Sequence, residues 1–117
     1  MSQNRSKFIG PTIKVCDINI EGISKAKSEY LSKLCLDYEV DVIMIQETHA
    51  DSALDLDRRG KVPGYQLISA ECHPKYGTAI FVRQSLINVK TIFSTKTGDI
   101  FQSAISVQGI TFVNNHT

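Results

Sequence analysis

Asn19 stands at the exit of a β-branched run, Thr12 to Ile20, and Glu47 ends an almost continuous apolar run, Val40 to Gln46. A carboxamide and a carboxylate brought to one place suit a hard cation such as magnesium. That ion is held by one or two carboxylates together with water and phosphate oxygens. The plainer alternative stays open at this point, because strands commonly end in polar residues where the chain meets solvent. Gln46 and His49 flank Glu47 in Gln46-Glu47-Thr48-His49, and spacing assigns neither a role beyond packing or hydrogen bonding in the loop. Glu71, Cys72 and His73 also lie together, but adjacent residues of an extended chain point to opposite faces and rarely share one ion; this reads as a solvated loop. Arg58, Arg59 and Lys61 form a small basic patch that could meet a phosphate backbone. Asp51, Asp55 and Asp57 offset it, so it too reads as a solvated loop. There is no G-x-x-x-x-G-K-[ST], no G-x-G-x-x-G and no nucleophile elbow.

The elements that must position Asn19 and Glu47 are legible. Thr12 to Ile20 reads as a strand and Val40 to Gln46 as a central strand, from its bounded length and its valines and isoleucines. Between them Ser24 caps a helix running to Tyr38. Its apolar stripe is Ala26, Tyr30, Leu31, Leu34, Cys35 and Tyr38; Lys25, Glu29, Ser32, Lys33 and Asp37 fall mainly on the other side. This is a βαβ unit with parallel strands, and neighbouring strands lie ~4.8 Å apart. Ligands of open α/β sheets bind beyond the carboxyl ends of the strands, where Asn19 and Glu47 stand. Asp51 to Pro63 reads as a loop or irregular helix. Tyr65–Ser69, Gly77–Arg83, Val89–Ser94, Ile100–Val107 and Ile110–Asn114 then read as an antiparallel meander, with turns at His73-Pro74, Thr97-Gly98-Asp99 and Gln108-Gly109. One helix is little cover for so many strands, which points to a partner layer for the sheet.

Composition sets wide limits. Hydrophobic residues make up 42% and charged residues 21% of 117, with a formal net charge of +1. Bulk charge therefore selects neither for nor against nucleic acid. Three cysteines without a C-x-x-C argue against a disulfide framework and a cysteine zinc site; Cys16 and Cys35 read as reduced core residues. No apolar run approaches the ~18 residues of a membrane span, and MSQNRSKFIGP has no apolar core of signal-peptide type; with reduced cysteines the expectation is an intracellular protein, nuclear or cytoplasmic, with no membrane partner. Residues 1–11 read as a flexible polar leader and 12–117 as one unit.

Four short motifs in order resemble a family. Asp17-Ile18-Asn19-Ile20-Glu21-Gly22-Ile23 resembles the W-N-x-x-G-I opening of the endonuclease/exonuclease/phosphatase superfamily, with Ile18 in place of the usual Trp. Ile45-Gln46-Glu47-Thr48-His49 resembles its I/L-Q-E-T motif. Pro63-Gly64-Tyr65 and Tyr76-Gly77-Thr78-Ala79-Ile80-Phe81-Val82-Arg83 resemble the GY and GGVAIFVR segments. Phe112 to Thr117 resembles the strand read N-V-Y-x-P in relatives, with His116 where they carry an active-site tyrosine. The wording is most similar to the apurinic-endonuclease-like domain of non-LTR retrotransposons, over about residues 12 to 117.

The resemblance implies an α/β fold: half of a four-layered α/β sandwich, a βαβ unit followed by an antiparallel meander. It implies a Mg²⁺ (or Mn²⁺) ion with Glu47 as the metal-binding carboxylate, Asn19 positioning the scissile phosphate, and DNA as the partner of the complete domain. Lys75, Tyr76 and His116 become phosphate or DNA contacts. The G-D-x-N and S-D-H motifs of relatives do not occur among the 117 residues, and the chain ends inside the strand that would lead to them. The expectation is therefore a partial magnesium-dependent DNA endonuclease of retrotransposon type, inactive alone, with metal weakly bound if at all. One alternative is a non-catalytic half-sandwich that binds a partner protein or a second copy through its uncovered sheet face. Another is a fragment of a phosphatase or deadenylase of the same superfamily.

Overall fold

The computed structural model describes residues 13–86, 88–98 and 100–116. The expected leader, the strand start at Thr12, the turn residue Asp99 and the side chain of His116 lie outside the described residues. The order is β1 (Val15–Asn19), α1 (Lys25–Asp37), β2 (Val42–Gln46), α2 (Ala53–Arg59), β3 (Tyr65–Glu71), β4 (Thr78–Arg83), β5 (Val89–Thr97), β6 (Ile100–Val107) and β7 (Ile110–His116).

β1 and β2 pair in parallel, with Asn19 opposite Gln46. β4 pairs antiparallel with β2 on one side and with β3 on the other, so the first sheet reads β1-β2-β4-β3. The later strands run antiparallel, as expected, but β5-β6-β7 form a second sheet. The second sheet lies against the inner face of the first, where Val42, Ile80 and Val82 bury themselves with Ile105 and Val107. The outer face of the first sheet packs beneath the helices around Ile23, Leu31, Ile43, Ile45, Leu56 and Phe81. Both faces of β2 and β4 are thus covered, which is why both strands are near-continuous apolar runs. The sheet face expected to lack cover is thus covered from within the chain by this second sheet, because the later strands leave the first sheet and fold onto it; Ile92, Phe93 and Val113 of the second sheet remain exposed.

Helix α1 begins where expected, with the Ser24 hydroxyl accepting from the Lys27 N–H at 3.1 Å. Its buried face differs from the expected stripe. Ser28, Leu31, Ser32 and Cys35 face inward, whereas Tyr30 and Tyr38 are exposed. The reason is what the helix sits on. Segment 59–63 offers backbone carbonyls: Ser28 Oγ donates to Arg59 O at 3.0 Å and Ser32 Oγ donates to Pro63 O. Short hydroxyl side chains satisfy those carbonyls and let the backbones approach, while the tyrosines keep their hydroxyls in water. Segment 51–63 holds a regular short helix, α2, capped by the Ser52 hydroxyl on Asp55 N–H. All three cysteines are free, and burial, with Cys16 beside it, pushes the Cys35 thiol up to about 12, as befits an inert reduced core residue. Among the described residues no helix is long and apolar enough to cross a membrane.

Candidate active site

The parallel pair β1–β2 delivers Asn19 and Glu47 to the same sheet end, and their side chains meet there. Asn19 Nδ2 donates to Glu47 Oε2 at 2.6 Å, and Asn19 Oδ1 accepts from the Glu21 N–H at 3.1 Å. The second carboxylate oxygen, Oε1, lies 3.5 Å from His49 Nε2, with the His49 and Glu47 side chains 33% and 27% exposed. The three residues form one partly open cluster.

The two loops that carry them are sewn together. Gly22 N–H donates to Glu47 O and Ile23 N–H to Thr48 O, both at 2.8 Å; on the far side Thr48 N–H donates to Gly77 O at 3.2 Å and His49 N–H to Tyr76 O at 2.7 Å. Glycine is required at two of these seams. Gly22 has φ +94 and a Cβ there would stand 3.2 Å from His49 Nδ1; Gly77 has φ +99 and its Cβ would meet Thr48 Oγ1 at 2.5 Å. Of the six described non-glycine residues with positive φ, Glu21, Glu47 and His49 lie in these two loops. Each such residue costs on the order of 1–3 kcal/mol and persists only where the surroundings over-determine it, a pattern that collects at functional sites.

Gln46 lies beneath the cluster and makes two contacts: its Nε2 donates to Asp17 Oδ1 at 2.7 Å and to Asn114 Oδ1 at 2.6 Å. Asn114 comes from β7 in the second sheet and is 1% exposed. Its Nδ2 reaches Ile45 O at 3.2 Å and Ala79 O at 3.3 Å, the carbonyls of a cross-strand pair of β2 and β4. Asn114 therefore fixes the last residues of β2 just before the chain turns at Glu47.

Tyr76 and Lys75 sit on the β3–β4 loop that abuts Thr48 and His49. This loop is built rather than merely solvated. The His73 ring stacks on Tyr76 at 4.9 Å and meets buried Phe101 edge-on at 5.7 Å, and His73 Nδ1 accepts from the Lys75 N–H at 3.0 Å. The backbone of His116 pairs with Phe101, which sets the end of β7 beside that ring cluster.

Three residues of this region, Asp17, Lys27 and Asn114, had no role assigned from sequence, and a fourth, Arg59, had a different one. Lys27 Nζ donates to the carbonyls of Ile20, Glu21 and Gly22 at 3.0, 3.3 and 3.0 Å. Arg59 corrects the picture of a solvated basic patch. It is bidentate to Asp55, at 2.9 Å from Nε and 2.6 Å from Nη2, and it reaches Ile23 O and His49 O. The Arg59 guanidinium holds the Asp55 carboxyl below its ordinary range, and Asp55 raises Arg59 in return. Only Asn114 carried a readable signal, as a polar residue in register with Phe112 on the inward side of an apolar strand.

The donor set is of the kind that suits a hard divalent ion. Glu47 offers oxygen, its neighbours are amides and an imidazole, and no group of three or more His, Cys, Asp and Glu poised to hold a metal exists among the described residues. Such an ion takes one or two carboxylates and completes its shell with water and phosphate oxygens, and the Glu47 side chain is 27% exposed; one carboxylate is too few ligands for a structural zinc.

No curated protein matches this chain. Among solved structures it is similar to the crystal structure of humanized D. rerio TDP2 by 14 mutations, at 17% identity and a TM-score of 0.55, over 88% of this chain and 45% of that one. The chain thus spans less than half of that relative, and the likeness is one of fold. The sequence profile of the Endonuclease/Exonuclease/phosphatase family matches residues 18–114. That match takes in both loops of the cluster and Asn114, and by it the chain belongs to the endonuclease/exonuclease/phosphatase family, a superfamily of metal-dependent nucleases and phosphatases.

Proposed function

We propose that residues 12–117 form the N-terminal half of a magnesium-dependent DNA phosphodiesterase domain of retrotransposon type, carrying the metal carboxylate and a phosphate-positioning amide. The observation that carries this reading is the Asn19–Glu47 contact of 2.6 Å at the carboxyl ends of two parallel strands, on a turn with Glu47 at φ 56. Glu47 would hold the ion, and Asn19, by spending one amide hydrogen on Glu47, would offer its second to a phosphate oxygen. When bound, the ion supplies Lewis-acid polarisation of the phosphoryl group. Gln46 fixes the strand end below, and His49 lies against the carboxylate oxygen opposite Asn19. Lys75 and Tyr76 would meet the nucleic-acid backbone from the adjoining loop, and His116 from the end of β7. The His-bearing Gln46-Glu47-Thr48-His49 wording supports the retrotransposon-type assignment and DNA as substrate.

A second group to orient the nucleophile is needed for turnover, and the G-D-x-N and S-D-H motifs that provide it in relatives are absent from the 117 residues. The chain by itself is therefore expected to bind Mn²⁺ weakly through Glu47 and not to nick DNA. The test pairs Mn²⁺ titration, read from paramagnetic broadening of the Asn19 and Glu47 amide signals, with incubation of the pure protein on supercoiled plasmid. Broadening equal in wild type and Glu47→Gln rejects the metal assignment. Metal-dependent nicking that Glu47→Ala abolishes rejects the inactivity.

A second reading rests on the exposed Ile92, Phe93 and Val113 of the second sheet: a non-catalytic half-sandwich that covers this face with a partner or a second copy. A monodisperse monomer across a wide concentration range in sedimentation velocity removes self-association.

A further inference from the structure

We propose that Arg59 is the positioning residue of the Glu47 site, a clamp that holds the metal-bearing turn in its left-handed form rather than a contact for nucleic acid. The inference rests on the assignment of Glu47 as the cation-binding carboxylate and goes beyond it.

The guanidinium carries five N–H hydrogens in a rigid plane. Nε and Nη2 engage both oxygens of Asp55, at 2.9 and 2.6 Å, Nη2 also donates to His49 O at 2.8 Å, and Nη1 donates to Ile23 O at 3.0 Å. Four N–H groups are thus directed inward, and the positive charge is compensated by Asp55. A phosphate would have to compete with four internal acceptors for this fork. The contact with nucleic acid suggested by the Arg58-Arg59-Gly60-Lys61 wording is thereby unfavourable at Arg59.

The two carbonyls it reaches define its role. Ile23 ends the loop that leaves Asn19, and His49 ends the turn that begins at Glu47. Backbone bonds from Gly22 and Ile23 already join these loops along their length, and Arg59 adds a fork across their outer ends. Between Glu47 and that fork lie two left-handed residues, Glu47 and His49, both at φ 56. Such a turn has a relaxed alternative with both residues at negative φ, and that alternative moves the His49 carbonyl away from Arg59. Holding that carbonyl therefore biases the backbone of Glu47, and with it the carboxylate that meets Asn19. Helix α2 gains a function by the same geometry. Its Ser52 cap and Asp55 set the guanidinium, and Asp55 Oδ2 also accepts from the Asp51 N–H at 3.1 Å, tying the helix to the chain just past His49.

Lysine keeps the charge but cannot span a carboxylate and two carbonyls in one plane. The experiment compares Mn²⁺ affinity, from paramagnetic broadening of the Asn19 side-chain amide, in wild type, Arg59→Lys, Asp55→Asn, Glu47→Gln and Tyr65→Phe. The last removes a hydroxyl bound to Val40 O at 2.7 Å, at the opposite end of the sheet, and serves as a control for general destabilisation. Arg59→Lys and Asp55→Asn are expected to weaken Mn²⁺ about tenfold, the scale on which outer partners of a metal ligand act. The Cα shift of Glu47 should move toward negative φ in the metal-free protein. Tyr65→Phe should leave both unchanged. Affinity within twofold of wild type in Arg59→Lys, with an unmoved Glu47 shift, overturns the clamp while the metal assignment stands. Wild type indistinguishable from Glu47→Gln overturns the metal assignment and the clamp together. If Arg59→Lys fails to fold, Asp55→Asn decides alone by the same two readouts.

Discussion

Removing the Asn114 amide should unhinge the two sheets at the point where they support Glu47. In Asn114→Ala three hydrogen bonds go: the 2.6 Å bond from Gln46 and the longer ones to Ile45 O and Ala79 O, at 3.2 and 3.3 Å. A hydrogen bond contributes about 0.5–1.5 kcal/mol net. Taking the short bond near the top of that range and the long pair near the bottom gives a loss of roughly 2–3 kcal/mol. Gln46 keeps Asp17 at 2.7 Å and is half-buried, so it recovers part of its loss through water. Ile45 and Ala79 are 0% exposed and have no such recourse. For a chain of this length 1 kcal/mol is worth about 4 °C, so Tm should fall by about 10 °C. The isosteric Asn114→Asp sharpens the test, since it turns a donor toward two carbonyls into an acceptor. Its ionised form is disfavoured in the folded state, which raises the folded pKa of the introduced carboxyl. The penalty is then largest at neutral pH, and the gap to wild type narrows as pH falls and the carboxyl protonates. The chain has no tryptophan, so urea unfolding is best followed by far-UV circular dichroism. Asn114→Ala within about 0.5 kcal/mol of wild type, or Asn114→Asp with a pH-independent gap, would refute the reasoning: the amide would then be a passenger, its bonds replaced by water at no cost.

Three further outcomes follow from the loops. At Glu47, φ 56 inverts the usual order of small residues: Glu47→Gly should be more stable than Glu47→Ala by about 1 kcal/mol, because alanine retains the left-handed penalty and glycine does not. Equal stabilities in urea titrations would mean the turn relaxes freely. Gly77→Ala should cost at least ~2 kcal/mol, combining φ strain with a Cβ 2.5 Å from Thr48 Oγ1; adding Thr48→Ala should restore only the steric part, and full restoration in the double mutant would deny the strain. Asp55 is held below its ordinary value of 3.8 chiefly by Arg59, so its contribution is present above that value and fades as pH falls through the lower folded value. Asp55→Asn should flatten the stability profile below about pH 4, and an unchanged acid limb would show that the pair contributes nothing to folding.

The βαβ unit was legible because its signals are local and agree. Ser24 announces the helix start, Val40–Gln46 is apolar enough to be buried on both faces, and Gly22 falls where the chain must turn left-handed. The later strands were legible as segments but not as a second sheet. Alternation says which side chains share a face, and nothing in β5 or β6 says which other face they meet. The face of α1 was misjudged for a related reason. The expected stripe favoured the rings of Tyr30 and Tyr38 over Ser28 and Ser32, but the surface beneath the helix includes the carbonyls of Arg59 and Pro63, and hydroxyls answer carbonyls better than rings do.

The candidate site divides along the same line. Asn19 and Glu47 could be read because strand ends are predictable and the chemistry sits on the residues themselves. What the supporting residues hold was illegible, even where Asn114 stood out as a polar residue on an apolar strand, because their work is done on backbone groups. Lys27 serves the carbonyls of Ile20, Glu21 and Gly22; Arg59 serves those of Ile23 and His49; Asn114 serves those of Ile45 and Ala79. A carbonyl has no residue type, so no motif records which side chain it will accept. Two loops with three left-handed non-glycine residues cannot rest on propensity and must be held by such contacts. Wherever a motif places a carboxylate on a turn that its own residues disfavour, the search for what makes it work belongs among nearby cations and amides that end on backbone oxygens.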